Sequence, residues 1–581
     1  MDPKPFELKD AFKQYLHDQD KTMTPEQTVE RFRRRLAQNN LNILEDIVRI
    51  DKGRLDIPVY FSICGPDARK ATGNYKQMGK GATPAQSQAS AVMELGERFS
   101  LFSFVRDPGN FTLTPRQSLD APCMDFDQIA RSVNDASDDR AVVSDFFSSL
   151  PLQWTWAFNL TRGKAEMVPF NWFWTINQFN GSSAGNCNEE ALCQGICEVV
   201  ERHVSALISG NCIQVPRIRL ESVKDPVAIE LIGKYTAAGI ELRLSDFTLD
   251  MGIPTVGALA WDPATFPAQS EIVWTAGTTP SPVKALCRAL TEVAQLAGEF
   301  NSGGNYVASG LPKFRTLDEA RYVIDPGANI ELKGLPEIGD NNIKVEVERC
   351  IGALAERGMD VYAVNVTHPA LGIPAFYTLI PGTRFRERAA HSSVGMIIAK
   401  IISETHPPHQ ALKQLKSFDA QLPDKYYLQF YLGQIHLDRG DHETALNYLT
   451  RALDLVPPAE DMASVYTYMG ICYKEMERFD AARQVLEKGH RTDPDRTDTL
   501  NLLGFCLYKL GAHEKAIASF EKLIALDPSS AIDYANIAAN YRAMGKKPEA
   551  IRYYQLALSL DAGIEFAREH LSQMGVDPNV A

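Results

Sequence analysis

The 581-residue chain lacks any apolar run long enough to cross a membrane, and it has no excess of positive charge. Apolar stretches such as residues 394–402 fall far short of the roughly 20 residues that a membrane helix needs. The net charge of −13 disfavours binding to nucleic acids or anionic membranes, which are recognised by Lys and Arg. Residues 1–21 mix charges of both signs and contain no apolar core of a signal peptide. We therefore expect a cytoplasmic protein with neither a nucleic-acid nor a membrane partner.

Close cysteine pairs are also missing. The ten cysteines are scattered along the chain, which suits a reducing compartment better than a disulfide framework. Cys187, Cys193 and Cys197 lie near one another in sequence, but zinc knuckles need two cysteines separated by only two residues. We expect these thiols to pack in a core, with a zinc site as the alternative.

Charged residues are sparse on three segments with helical periodicity, and most of those present are glutamate and arginine. Residues 85–105, for example, contain only three charged side chains. The residues of interest are Ser90, Glu94, Glu97 and Arg98 in the first segment, Asn186, Glu190, Glu198, Glu201 and Arg202 in the second, and Arg288 and Glu292 in the third.

The spacing of these glutamates indicates a shared helical face. Because successive helical residues turn by about 100°, Glu190, Glu198 and Glu201 fall on one stripe of an otherwise apolar helix. Carboxylates aligned in this way repel one another unless cations neutralise them. The pattern therefore predicts a site for magnesium and phosphate. The alternative is ordinary salt bridging on solvated faces, worth a few tenths of a kcal/mol for each pair.

The three segments resemble the nucleotide-binding motifs of the YcaO family in their order and separation. The Gly-Lys-Gly-Ala loop at residues 79–82, which precedes the first segment, is also similar to a loop of that family. The resemblance extends over roughly residues 20 to 400. Two glutamate- and arginine-bearing helices followed by an arginine and glutamate helix form a highly specific combination.

The resemblance implies an activity, two cofactors and a set of site residues. YcaO proteins bind ATP with several Mg²⁺ ions and phosphorylate the oxygen of a peptide-backbone amide, after which a nucleophile displaces the phosphate. The implied metal ligands are Glu94, Glu97, Glu190, Glu198, Glu201 and Glu292. The implied nucleotide contacts are Lys21, Thr28, Ser90, Arg98, Ser183, Asn186, Arg202 and Arg288. Arg384 and Arg386 resemble a further phosphate-binding loop, and no catalytic residue is implied.

A weaker match near the N-terminus coincides with a helix start. Lys21 and Thr28 match the family feature, whereas Thr24 followed by Pro25 and Gln27 has the pattern of a capping box. The two interpretations are compatible, since Thr28 would lie inside that first helix.

Between the motif segments, short runs rich in β-branched and aromatic residues predict strands. Strands mixed with alanine-rich helices favour an α/β (α+β) domain in which helices pack on sheets. The predicted strands are residues 55–63, 154–160, 240–244, 255–261, 361–366 and 375–380.

Small residues recur after residue 405 at spacings of 37, 34 and 34, which is the period of tetratricopeptide repeats. We expect an all-α solenoid of four helix pairs with a polar-faced capping helix at residues 565–574. The repeated positions are Gly433, Gly470, Gly504 and Ala538, then Ala445, Ala482, Ala516 and Ala550, with Pro457, Pro494 and Pro528 closing the first three units.

The sequence therefore predicts three parts. Residues 1–405 form the ATP-binding domain, with a helical segment at residues 1–50 and a core over about 55–400. Residues 406–425 form a linker helix, and residues 426–581 form the repeats. The repeats either recruit a peptide, a protein substrate or a partner protein, or they stabilise or dimerise the catalytic domain.

Residues 575–581 do not resemble the proline-rich tail of azoline-forming YcaO proteins, which disfavours cyclodehydration. Members without that tail include thioamide-forming enzymes and a helical-tailed accessory factor for methylthiolation of a ribosomal protein. We expect an ATP-dependent enzyme acting on a backbone amide. The alternatives are such an accessory factor and a nucleotide-binding adaptor without turnover.

Overall fold

A computed structural model describes residues 6–578, except 134, 136–138, 301–310, 326, 386–391, 528 and 529. Contacts between residues divide the chain into two units. Residues 1–138 and 147–394 form the first, and residues 139–146 and 395–581 form the second. Every helix of the described ranges is too short or too polar to span a lipid bilayer.

The first unit is built on three sheets with helices packed on them, which confirms the predicted α/β character. The strands of the first sheet are Leu44–Arg49, Val59–Cys64 and Lys76–Lys80, all antiparallel. Those of the second, in spatial order, are Val273–Thr278, Thr255–Trp261, Glu241–Asp246, Arg217–Ile218 and Asn329–Ile330, with only the last pairing parallel. Those of the third are Thr112–Pro115, Pro151–Asn159, Tyr362–Asn365, Ala375–Leu379 and Ser182–Ala184, with Lys164–Pro169 beside the second of them.

The three glutamate-bearing segments are helices of this unit. We call them the first, second and third motif helices, and they span Pro84–Arg106, Asn188–Gly210 and Pro282–Ala297. The remaining α-helices of the first unit are Pro25–Asn39, Pro66–Thr72, Phe126–Ala130, Phe170–Asn177, Pro226–Ala237, Arg321–Ile324 and Ile343–Ala355. Helix Arg140–Ser149 begins in the second unit and ends in the first.

Two glycines allow motif helices to lie directly on strands. A Cβ atom at Gly79 would lie 2.1 Å from the Ala91 nitrogen in the first motif helix. At Gly277 it would lie 2.3 Å from the Ala285 oxygen in the third. Only a residue without a side chain permits these approaches.

The N-terminal region departs from the expected helical segment at residues 1–50. The capping box is confirmed, since Thr24 and Gln27 exchange hydrogen bonds at the start of helix Pro25–Asn39. The helix ends because Asn40 adopts a left-handed conformation with φ of 49°. Leu44–Arg49 then runs as a strand antiparallel to its neighbour. The helical prediction is therefore wrong for residues 44–49.

The first predicted strand, residues 55–63, begins later than expected. Val59–Cys64 is the observed strand, because Pro58 has no N–H to donate to a sheet. Leu55 and Ile57 are nevertheless buried, in the hydrophobic core beneath the second sheet. Their apolar character reflects that packing rather than strand pairing.

The second unit contains the predicted helix pairs. Small residues lie where paired helices approach, as at Gly470, where a Cβ would lie 2.5 Å from Leu486. The pairs are Tyr426–Asp438 with His442–Asp454, Ala459–Glu475 with Phe479–Thr492, Thr497–Lys509 with His513–Leu526, and Ala531–Ala543 with Lys547–Leu560. Glu565–Gln573 follows as the capping helix. Pro528, expected to close the third pair, lies outside the described residues.

The second unit begins before the boundary expected at residue 405. Helix Val394–Thr405 groups with the repeats from Gly395 onward, and Gly395 lies against the Tyr427 ring of the first repeat helix. Helix Pro408–Gln421, expected as a linker at residues 406–425, also packs there, since Gln429 donates to the Asp419 carboxylate at 2.7 Å. The change in sequence character near residue 405 thus falls after the first helix of this unit.

Replacing Gly277 by Ala should separate the third motif helix from its sheet. Overpacking against backbone atoms costs about 1–3 kcal/mol, so we expect a lower melting temperature for Gly277→Ala. Gly233→Ala is the matched control, because nothing lies within 4 Å of its Cβ position in helix Pro226–Ala237. Calorimetry of the full-length variants compares the two. Equal melting temperatures would contradict the close approach.

Candidate nucleotide and metal site

A single cavity of about 360 Å³ in the first unit gathers side chains from all three motif helices. Strand Ser182–Ala184, strand Lys76–Lys80, the start of the first α-helix and the residues preceding it also contribute to its walls. Of the residues predicted from sequence, those lining the cavity are Lys21, Thr28, Ser90, Glu94, Glu97, Arg98, Asn186, Glu190, Glu198, Arg202, Arg288 and Glu292. Ser183 and Glu201 are not among the lining residues.

Arg98 pairs with both glutamates of the first motif helix. Arg98 lies 3.2 Å from a Glu97 oxygen and 3.8 Å from a Glu94 oxygen. Its guanidinium also stacks on the Phe179 ring, 4.4 Å from the centroid, and donates to the Ser182 hydroxyl at 3.2 Å. These partners fix Arg98 in a defined orientation at the cavity wall.

Burial makes ionisation of the cavity carboxylates unfavourable. It raises the pKa of Glu97 to about 8, outweighing the opposing effect of Arg98. It also raises the pKa of Glu198, in spite of Arg202 at 3.9 Å. A bound cation would stabilise the ionised form of such a carboxylate. The donor set consists of carboxylate oxygens, which Mg²⁺ prefers. These residues therefore fit Mg²⁺.

The beginning of the second motif helix is tied to the first α-helix. The backbone N–H of Asn186 donates to Glu190 at 2.9 Å, and its side-chain amide donates to the same oxygen at 3.1 Å. The Thr28 hydroxyl approaches the Asn186 side-chain oxygen at 3.2 Å. Thr28 and Asn186 therefore lie together at the cavity.

Glu201 lies behind the cavity wall instead of in it. Its carboxylate accepts the Thr278 N–H at 3.0 Å and lies 3.2 Å from Nε of Arg288. Glu201 therefore holds Arg288 in place in this arrangement. The helical stripe placed Glu201 near Glu198 but could not show that a strand lies against it.

Ser182, and not Ser183, faces the cavity. Ser183 is fully buried, and its hydroxyl donates to the Ala191 carbonyl at 2.6 Å. The Ser182 hydroxyl donates to Glu97. Successive side chains of a strand point to opposite faces, so a shift of one residue exchanges the two roles. The expected nucleotide contact at Ser183 thus falls on the wrong face.

Lys80 is a cavity residue that the site prediction missed. It ends strand Lys76–Lys80 and pairs with Glu292 of the third motif helix. Burial, assisted by the nearby positive charge of Arg288, lowers the pKa of Lys80 to about 7. Its position in the Gly-Lys-Gly-Ala loop, which resembles a loop of the same family, could have indicated that Lys80 belongs to the site.

Across the described part of the chain, no three carboxylate, His or Cys side chains lie close enough to bind one ion together. Several of the cavity carboxylates are paired with an arginine or a lysine side chain. Mg²⁺ usually takes only one or two carboxylates together with water and phosphate oxygens. Phosphates that bound these cations would release the carboxylates for Mg²⁺.

The remaining sequence predictions concern thiols and arginines. Cys193 and Cys197 are buried in a hydrophobic core, as expected for packing thiols. Arg384 lies near the second motif helix, where its backbone N–H donates to His203 at 3.0 Å. Arg386 lies outside the described residues.

Comparison with known proteins finds the same two parts. The profile described as YcaO cyclodehydratase, ATP- and Mg²⁺-binding, matches residues 78–384. Tetratricopeptide profiles match residues 426–495, 473–541 and 534–563.

Two relatives and one solved structure illustrate the similarity. An uncharacterized protein of Methanothermobacter thermautotrophicus is 27% identical over 379 residues, covering 62% of this chain and 93% of that protein. The ribosomal protein S12 methylthiotransferase accessory factor YcaO of Escherichia coli is 27% identical over 241 residues, covering 38% of this chain and 40% of that protein. YcaO from Methanopyrus kandleri, bound with AMPPCP and Mg²⁺, is 22% identical, covers 64% of this chain and 94% of that one, and has a TM-score of 0.50. This last similarity shows the fold.

Glu198→Gln should remove Mg²⁺-dependent ATP binding while leaving the fold intact. The variant keeps the shape of the side chain but loses a buried charge whose ionisation is already unfavourable. Calorimetric titration of ATP with and without Mg²⁺ measures the effect. Glu230→Gln, on an exposed helix face, is the control. Unchanged ATP affinity in Glu198→Gln would exclude this residue from the site.

Ionisation of Glu97 should destabilise the nucleotide-free protein as the pH rises from about 5 to 8. Burial lifts the Glu97 pKa from 4.5 to about 8, so the folded state binds more protons than the unfolded state between these values. Deprotonation of Glu97 across this range therefore favours unfolding. Glu97→Gln should show a flatter dependence of melting temperature on pH than the wild type or Glu230→Gln. Equal slopes would contradict the unfavourable burial of this carboxylate.

Proposed function

The chain belongs to the YcaO family, and we propose that it uses Mg–ATP to activate a backbone amide of a peptide or protein. The γ-phosphate of ATP is transferred to the amide oxygen and ADP is released. A nucleophile then adds to the amide carbon and phosphate leaves. The family is described as ATP- and Mg²⁺-binding, so the cofactors are ATP and Mg²⁺.

The observation that carries this proposal is that carboxylates and cations line one cavity together. Glutamates from three separate helices line it together with arginines from the same helices. A site that only bound phosphate would need the cations alone. A site that only bound metal would need the carboxylates alone. The combination suits a triphosphate bound together with metal ions.

The arginines of the cavity are suited to hold the phosphates. Arg98, Arg202 and Arg288 each present a planar guanidinium that can form two parallel hydrogen bonds to a phosphate. Lys80 adds a point charge beside Glu292. Bound Mg²⁺ would neutralise charge on the phosphate oxygens during transfer. The glutamates hold the ions, and Glu201 keeps Arg288 directed towards the cavity.

The tetratricopeptide repeats suggest an interaction with another protein. We propose that they recruit the peptide or protein whose amide is modified, or a partner enzyme that supplies the nucleophile. Stacked helix pairs form an extended surface that suits such recruitment. A role in stabilising or dimerising the catalytic domain is the alternative.

Two other functions are alternatives to this proposal. The similarity to the Escherichia coli accessory factor favours a role in methylthiolation of a ribosomal protein. A nucleotide-binding adaptor would bind Mg–ATP and a partner without turnover. Thioamide formation is a specific case of the proposed amide activation.

Turnover separates the enzyme from the adaptor. We expect the purified chain to form little ADP alone and more when a cell extract of its source organism supplies substrate. Glu198→Gln should abolish the increase, whereas Glu230→Gln should retain it. If the chain binds Mg–ATP but the extract causes no increase in ADP formation, the adaptor is favoured.

Mass spectrometry identifies the substrate. Peptides and ribosomal proteins from a strain lacking the gene should miss a modification that the parent strain carries. A missing methylthio group on ribosomal protein S12 would select the accessory function. A missing backbone modification of another peptide or protein would select direct amide activation.

A further inference from the structure

Residues 8–23 precede the first α-helix and contain neither a helix nor an extended strand; we call them the N-terminal arm. Specific hydrogen bonds fix the arm in place. The Lys13 N–H donates to the Asn341 carbonyl at 3.0 Å, and the Ile343 N–H donates to the Ala11 carbonyl at 2.8 Å. The arm is thus anchored to the start of helix Ile343–Ala355.

Further along, the arm contacts two elements that carry cavity residues. Asp18 is almost fully buried and accepts the Ala82 N–H of the Gly-Lys-Gly-Ala loop at 2.7 Å. The Tyr15 hydroxyl donates to the other Asp18 oxygen at 3.1 Å. Lys284 of the third motif helix donates to the Leu16 carbonyl at 2.6 Å. The arm therefore joins the loop before the first motif helix to the third motif helix.

The end of the arm contacts the second motif helix through Glu190. The backbone N–H and the hydroxyl of Thr22 both donate to one oxygen of Glu190, each at 2.6 Å. Asn186 donates twice to the other oxygen. With two donors on each oxygen, the plane and direction of this buried carboxylate are fixed, and a Mg²⁺ ion bound by Glu190 would take the place of one of these four donors. Three of these donors are backbone or amide groups, and Thr22 supplies the only hydroxyl.

We propose that Thr22 is a positioning residue that orients Glu190, and that the N-terminal arm thereby sets the magnesium requirement of the nucleotide cavity. The inference rests on the proposed binding of Mg–ATP. Hydrogen bonds to ligating carboxylates maintain the direction in which they face a metal, and their loss typically costs about 10–100-fold in metal affinity. Thr22 does not line the cavity itself, so it acts through Glu190.

The test is a titration of Mg²⁺ at fixed ATP concentration with the full chain, followed by calorimetry. Thr22→Val keeps the shape and the backbone donor but removes the hydroxyl donor. We expect the Mg²⁺ concentration for half-saturation to rise about tenfold, which is the lower end of the range for such contacts. Thr22→Ser restores the hydroxyl and should restore the wild-type midpoint.

Two comparisons distinguish positioning from simple stabilisation. Thr236→Val removes a hydroxyl that donates to a helix carbonyl far from Glu190 in sequence, and it should leave the midpoint unchanged. A merely structural role of Thr22 would lower the melting temperature without magnesium and leave the midpoint unchanged. An unchanged or lower midpoint in Thr22→Val, with normal Mg–ATP binding by the wild type, would overturn this inference but not the proposed function. Failure of the wild type to bind Mg–ATP would overturn the proposed function as well.

Discussion

Like charges buried in one cavity are the constraint on which the site depends. Carboxylates from three helices face a space of about 360 Å³, and burial raises the pKa of Glu97 and Glu198. Arginines and a lysine paired with these carboxylates reduce the repulsion without removing it. A triphosphate would draw these cations to itself and leave the carboxylates to Mg²⁺. The nucleotide and the ions would therefore depend on each other for binding.

The fold meets this constraint by bringing helices against strands at glycines. Gly79 and Gly277 allow the first and third motif helices to lie on neighbouring strands, which places Lys80 and Glu292 together. Glu201 is held by the backbone of Thr278 and in turn holds Arg288. The charged side chains that face the cavity thus depend on strands that carry few charges of their own.

Sequence periodicity predicted the parts of the site that lie on helices. Glu94, Glu97 and Glu198 could be placed because one turn of a helix has a fixed angle. Ser182 was missed because a strand alternates its faces and the register was unknown. The N-terminal arm was not recognised, since a segment held by individual hydrogen bonds has no period. The repeats after residue 405 were found from spacing alone, but packing assigns the helix before them to the same unit.

The central claim is that ATP and Mg²⁺ bind together, and melting temperature tests it most directly. A ligand that binds only the folded state stabilises it by about 2.7 kcal/mol at a hundredfold excess over Kd. The account predicts that saturating Mg–ATP raises the melting temperature of the first unit by several degrees. ATP with a chelator should raise it far less. Equal melting temperatures with Mg–ATP and with ATP plus chelator would contradict a site in which the carboxylates bind metal.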